Sequence, residues 1–273
     1  MRVGYYQFRP LFGQPRRNFA KVLAALADTT ADLIVLPELA FSGYHFRDRD
    51  EALALAEDPA NSETVESLSA LCLKRDLHLV TGFCERSGER VYNSALLIGP
   101  KGVEHVYRKL HLFAEEKRCF DAGDVPLSVQ ELRGARIGLM VCFDWAFPEV
   151  ARVLAIQGAE VLCHPSNLVL GYCQEAMLTR CLENRVYAIT ANRFGRDQRP
   201  HGELCFTGKS QVAAPGGGLI HRALSQREQL FVTEIDLAEA RNKRITPWND
   251  LLSDRRPAWY RDLEALPAAG PVP

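Results

Sequence analysis

The sequence contains no uninterrupted apolar run approaching the ~18 residues that a membrane-spanning helix requires. Its first residues, Met-Arg-Val-Gly-Tyr-Tyr-Gln-Phe, lack the apolar core and small-residue cleavage site of a secretory leader. These absences argue against a membrane-spanning or secreted chain and predict a cytoplasmic one. An excess of charge of one sign is missing too: 33 Lys+Arg stand against 34 Asp+Glu, a formal charge of −1, and no basic run occurs. The footprint of a nucleic-acid binder is therefore absent, and a small-molecule partner fits better. No Cys-x-x-Cys pair occurs among the eight cysteines, which stand apart at 72, 84, 119, 142, 163, 173, 181 and 205. That scatter excludes a compact structural zinc site or a small disulfide scaffold, and most of these residues read as reduced packing groups.

What remains is an ordinary globular composition, 47% hydrophobic and 25% charged, without repeats or low-complexity linkers. One domain over residues 1–262 and a C-terminal tail, 263–273, are expected. Residues 2–8 and 33–37 read as strands around an amphipathic helix at 17–28, where Phe19, Val22, Leu23 and Leu26 repeat at helical spacing. A helix over 62–75 precedes a predicted antiparallel pair, 77–85 and 91–98, turning at Ser87-Gly88. After an irregular stretch at 110–126 come a strand at 136–142, a helix opened by Pro148, strand 160–164, helix 173–185, strands 186–192, 204–214 and 229–235, and a short helix from 236. Strands alternating with helices, interspersed with hairpins, predict an α/β fold of mixed sheets covered by helices. The segment 246–262 carries Trp248, Trp259 and Tyr260 with no periodicity of its own.

Three residues stand where chemistry could begin. Cys142 ends the strand 136–142 and is followed by Phe-Asp-Trp-Ala-Phe-Pro-Glu and a helix, a strand-turn-helix arrangement able to present a nucleophile; the nearby helix N-terminus is expected to favour thiolate. Glu38 leaves the C-terminal end of Leu-Ile-Val-Leu-Pro, where α/β sheets commonly place functional groups. Lys109, in Tyr-Arg-Lys-Leu-His-Leu-Phe, has apolar flanks that could hold a desolvated cation. Taken singly, each is as readily a packing, capping or surface residue. Arg180 and Glu183, three apart on the helix 173–185, read as a structural ion pair.

Together, Pro37-Glu38, the Arg108-Lys109-Leu-His-Leu-Phe113 run and the Val141-Cys142-Phe-Asp-Trp-Ala-Phe-Pro-Glu149 elbow resemble, in order and spacing, the three signature segments of the nitrilase superfamily of carbon-nitrogen hydrolases. Gln157-Gly-Ala-Glu160, His164-Pro-Ser-Asn167, Arg180-Cys-Leu-Glu-Asn-Arg185 and Arg241-Asn-Lys-Arg244 extend the resemblance over nearly the whole chain, in particular to short archaeal and bacterial nitrilase-like amidases and nitrilases. The resemblance implies an α-β-β-α sandwich, Cys142 as nucleophile, Glu38 as general base, Lys109 as electrophilic stabiliser and the Phe143 backbone N–H as a second oxyanion donor. It implies a second glutamate seven residues beyond the lysine, which is Glu116, with Glu115 the alternative. Tyr44, Asp144, Trp145 and Asn167 border these segments as candidate pocket residues. No metal or organic cofactor is implied, and members commonly form homodimers or larger homo-oligomers.

Typical nitrile-specific members of the superfamily resemble Cys-Trp-Glu at the elbow, so the resemblance with Cys-Phe-Asp here implies hydrolysis of a small aliphatic amide to carboxylate and ammonia through a cysteine thioester. Nitrilase activity on aliphatic nitriles is the alternative, followed by N-carbamoyl amide hydrolysis. A catalytically silent binding protein on the same fold would announce itself by a lost triad residue, and all three are present. The Cys-Trp context of a papain-like cysteine hydrolase is missing.

Overall fold

The structure, a computed structural model, describes residues 1–265. Its elements are β1 (Arg2–Gln7), α1 (Pro15–Leu26), β2 (Leu33–Val35), α2 (Arg49–Leu55), α3 (Glu63–Arg75), β3 (His78–Ser87), β4 (Arg90–Gly99), β5 (Gly102–Arg108), α4 (Glu116–Cys119), β6 (Val129–Leu132), β7 (Ala135–Leu139), α5 (Pro148–Ile156), β8 (Val161–Ser166), α6 (Cys173–Asn184), β9 (Tyr187–Asn192), β10 (Phe194–Arg199), β11 (Gly202–Thr207), β12 (Gln211–Ala213), β13 (Leu219–Arg222), β14 (Gln229–Glu234), α7 (Leu237–Arg241), β15 (Arg244–Thr246) and β16 (Asn249–Asp250).

Two six-stranded sheets carry the fold, one in the order β14-β1-β2-β3-β4-β5 and the other β13-β12-β9-β8-β7-β6. Both are mixed. The central neighbours β1-β2-β3 and β7-β8-β9 run parallel, and antiparallel strands complete each edge. Strand periodicity of two sorts side chains into layers. Val3, Tyr5, Leu33, Val35, Ala95 and Leu97 enter a cluster shared with Ile137, Leu139, Val161 and Ile189 of the second sheet. Their neighbours Tyr6, Ile34, Leu96 and Ile98 pack instead with Val22 and Leu26 of α1 and Leu68 and Leu71 of α3. The second sheet is covered by α5 and α6, whose Val150, Leu154, Met177 and Cys181 are buried. The expected α-β-β-α sandwich is what the chain forms.

Sequence and structure differ locally. Helix α3 starts where expected, at the N-cap Ser62, whose hydroxyl accepts from Val65 N at 3.1 Å. The strand expected at 204–214 is two: Gly208 and Lys209 both have positive φ, +59° and +57°, and divert the chain from hairpin strand β11 into β12 of the second sheet. Strand β5, helix α2 and strand β10 fall in stretches to which the sequence pattern assigns no element. The segment 246–262 begins at the last residue of β15 and holds its hairpin partner β16 and a 3-10 turn at Pro257–Trp259, and a second turn, Arg261–Glu264, crosses the expected start of the tail. Residues 266–273 of that tail lie outside the described residues. Among the described residues no helix is long and apolar enough to cross a membrane.

Candidate active site

Strand ends of both sheets deliver the candidate residues to one place. Leu36-Pro37 carry β2 into Glu38, and the turn is tied to β3 by Gly82 N donating to Pro37 O (3.1 Å) and Ala40 N donating to Gly82 O (3.2 Å). A side chain at Gly82 would put its Cβ 2.2 Å from Glu38 Cα, so the close approach requires glycine. Lys109 directly follows β5, its N–H donating to Asn93 O of β4 at 2.9 Å and its carbonyl accepting from Gly123 N at 2.9 Å. Cys142 comes three residues after β7 rather than at its end, and opens a 3-10 turn (Cys142–Ala146) leading to α5. Its φ of +42° is left-handed, a strained conformation for a residue with a Cβ. Asn167 follows β8 immediately.

These side chains form a buried charge cluster. Lys109 Nζ donates to Glu38 Oε1 at 2.7 Å and lies 2.8 Å from both carboxylate oxygens of Glu116. The seven-residue spacing therefore selects Glu116; Glu115 is exposed. Tyr44 OH donates to Glu116 Oε1 (2.6 Å), Phe113 N to Glu116 Oε2 (3.2 Å) and Asn93 Nδ2 to Glu38 Oε1 (2.7 Å). Glu38 Oε2 is buried and has no hydrogen-bond partner among the described residues. Asn167 Nδ2 donates to Glu38 O at 2.8 Å and so locks the glutamate's backbone to the second sheet.

Burial is the largest influence on Glu38 and raises its pKa; Lys109 pulls the other way and Glu116 adds to the rise. Burial alone would lower Lys109, but Glu116 and Glu38 together raise it, so it is a cation. Cys142 is pushed well above the usual thiol value by burial and by Glu38, against the pull of Lys109. The resting group is thus a thiol. The expected thiolate is corrected: the field of a helix end fades within its first turn, α5 begins only at Pro148, and a second anion beside two buried carboxylates is disfavoured.

Phe143, Trp145 and Asn167 border a small void at Cys142, and Tyr44 borders a larger one beside Glu116. Two residues carry more than their sequence context suggested. Asp144, fully buried, accepts from Val141 N (2.9 Å), Tyr107 OH (2.7 Å), His111 N (3.2 Å) and His111 Nδ1 (2.8 Å), joining the Cys142 turn to the residues either side of Lys109. His164 Nε2 donates to the Cys142 carbonyl at 2.9 Å, while Thr190 Oγ1 lies 3.1 Å from Nδ1. Asn93 was not singled out from the sequence, and His164 entered only as part of the His164–Asn167 segment without a role, because a polar residue inside a strand looks like any solvent-facing position until the pairing is known. The Arg180–Glu183 pair forms at 3.0 Å, and Arg180 Nε also donates to Trp145 O (3.4 Å). Among the described residues no three His, Cys, Asp or Glu side chains converge as a metal site.

Known proteins resemble this chain over most of its length. The family profile described as carbon-nitrogen hydrolase matches residues 2–245. A protein named nitrilase from Pyrococcus abyssi is 40% identical over 95% of this chain and 99% of its own. An (R)-stereoselective amidase from a Pseudomonas species is 33% identical over 94% of this chain and 92% of its own. Among solved structures, a mutant of an amidase of the nitrilase superfamily from Nesterenkonia AN1 superposes with a TM-score of 0.81 at 25% identity, covering 96% of this chain and 97% of that one. A profile spanning most of the chain and a 40% identical relative matched almost end to end are sufficient: this chain belongs to the carbon-nitrogen hydrolase family, within the nitrilase superfamily.

Proposed function

We propose that the enzyme hydrolyses the carbon-nitrogen bond of a small aliphatic amide to carboxylate and ammonia, through a thioester on Cys142 formed within residues 1–262. The observation that carries this reading is the arrangement of Glu38: one oxygen is fixed by Lys109 and Asn93, and the other is buried and free to take a proton. Glu38 accepts the thiol proton as Cys142 Sγ bonds to the carbonyl carbon. The oxyanion is held by Lys109 Nζ and the Phe143 backbone N–H. An ammonium has three N–H donors, and two of the three oxygens around Lys109 belong to Glu116, so one donor can turn to substrate while both carboxylates remain bonded. Collapse of the intermediate breaks the C–N bond, and the proton on Glu38 leaves with ammonia. Glu38 then takes a proton from water, which attacks the thioester, and returns it to the departing sulfur. Glu116 and Tyr44 position Lys109.

The nitrile reading is second, favoured by the name of the 40% identical relative. The same residues would add the thiol across a C≡N bond to give a thioimidate, which water converts with loss of ammonia. A panel of aliphatic amides, nitriles and N-carbamoyl amines, assayed for ammonia, separates the readings. Mass spectrometry during turnover should find an adduct on the Cys142 peptide alone. Full activity in Cys142→Ala, or an adduct on Cys119 or Cys163, would sink the assignment.

A further inference from the structure

Two neighbouring voids share a boundary near the active site, and only the smaller touches Cys142. The one bounded by Cys142 and Asn167 has a volume of about 10 Å³, which is about the room one water molecule needs. It can hold the reacting amide carbon's immediate substituents and little else. The second, of about 130 Å³, has Tyr44, Phe46, Phe120 and Leu204 in its wall, with His45, Glu115 and Glu116 among its charged or titratable members. Phe113 and Val169 border both, so these two side chains form the partition between the nucleophile and the larger space. The Tyr44 hydroxyl in that wall is already donated to Glu116 at 2.6 Å, which leaves its ring as the surface a substrate meets.

Resting on the hydrolytic reading of Cys142, we infer that the larger void is the acyl subsite, that it takes an uncharged hydrocarbon chain of about four to six carbons, and that Phe113 and Val169 set the chain-length preference. The size follows from comparison with an engineered apolar cavity of about 150 Å³, which accommodates benzene. The polarity follows from the walls. Glu115 and Glu116 at the margin repel a chain ending in carboxylate, Glu116 is already bonded to Lys109 and Tyr44 and so is not free for a second cation, and the aromatic and aliphatic surface favours a hydrocarbon chain.

The test is kcat/KM for straight-chain amides and nitriles from two to ten carbons, on the wild type, Val169→Phe and Phe113→Ala. Burial of each methylene should raise kcat/KM about fourfold until the void is filled, after which it falls. Val169→Phe should lower the hexanamide-to-acetamide ratio at least tenfold, and Phe113→Ala should move the optimum to longer chains. Calorimetric binding of the same compounds to Cys142→Ala reads the subsite without turnover and should follow the same order. Wild-type activity that declines steadily beyond propanamide, a ratio unmoved by Val169→Phe, or preference for 5-aminopentanamide over hexanamide overturns the subsite. Chain-length-dependent binding without ammonia release from any compound overturns the hydrolytic reading and leaves the subsite standing.

Discussion

Lys109 is the one cation in a buried cluster with two carboxylates and a thiol, so its removal acts on rate and on protonation together. Lys109→Met should lower kcat/KM by two to three powers of ten, the effect of losing about 2.7–4 kcal/mol of oxyanion stabilisation. It should also displace the acid limb of the pH-rate profile. Glu38 must be ionised to accept the thiol proton, and its pKa stands above 4.5, so wild-type activity should appear only at pH above the ordinary carboxylate range. Lys109 pulls that pKa down, so in the variant the limb should move to still higher pH; a move to lower pH would refute the assignment of the limb to Glu38. His164 gives a separate stability signature. Burial holds its pKa at about 4, below the ordinary 6.5, so the neutral ring is favoured by folding. That contribution is complete above pH 6.5 and is lost as pH falls towards 4, amounting to about 3 kcal/mol. Denaturant unfolding at pH 7 and pH 4.5 should therefore show a larger acid loss in the wild type than in His164→Gln. Glu38, Lys109 and Cys142 were legible because each ends or follows an apolar run and the three occur in a recognisable order. The contributions of Asn93 and His164 were not, because they depend on which strands become neighbours.

At the scale of elements, the site is assembled by turns whose geometry is set by residues with no chemistry of their own. Gly82 of β3 is the clearest case: its lack of a Cβ lets the Glu38 backbone lie against the strand. Gly82→Ala should leave the protein folded but displace Glu38, and a displacement of about 1 Å can cost on the order of a hundredfold in rate. Steady-state kinetics with circular dichroism checks this; unchanged kcat/KM would mean that the turn relaxes without moving the carboxylate. The elements hidden from the sequence share a physical cause. Strand β5 is an edge strand whose Glu104, His105 and Arg108 interrupt the apolar pattern, yet it is the strand that delivers Lys109. The hairpin β10-β11 pairs only with itself and carries Asp197, paired with Arg193 just before the strand, and the Arg196–Glu203 pair, so it shows little of the hydrophobic alternation that marks a strand in a sheet. By contrast β1, β2 and β4 lie between two hydrophobic layers, and their nearly continuous apolar runs identified them.

At the scale of the molecule, the surface carries more apolar material than the two sheets and their helices need. Trp248 is 90% exposed and Trp259 74% exposed, with Ile245 and Leu263 in the same C-terminal stretch, and Val153, Ile156 and Leu182 emerge from α5 and α6. Single exposed apolar residues are ordinary, but two tryptophans and several large aliphatic side chains concentrated in one terminal segment and one pair of helices point to a surface that is covered in solution. The chemistry of the patch and the expectation drawn from the superfamily resemblance both favour a second copy of this chain as the cover. Because α6 donates Arg180 Nε to Trp145 O, beside the Cys142 turn, packing on that helix would also steady the pocket wall. Sedimentation at micromolar concentration should give a homodimer or larger species rather than a 30.6 kDa monomer. Trp248→Ala combined with Trp259→Ala should weaken the association, and activity per active site should then fall as the protein is diluted. A monomeric wild type with full activity at every dilution would show that the exposed apolar surface serves another purpose.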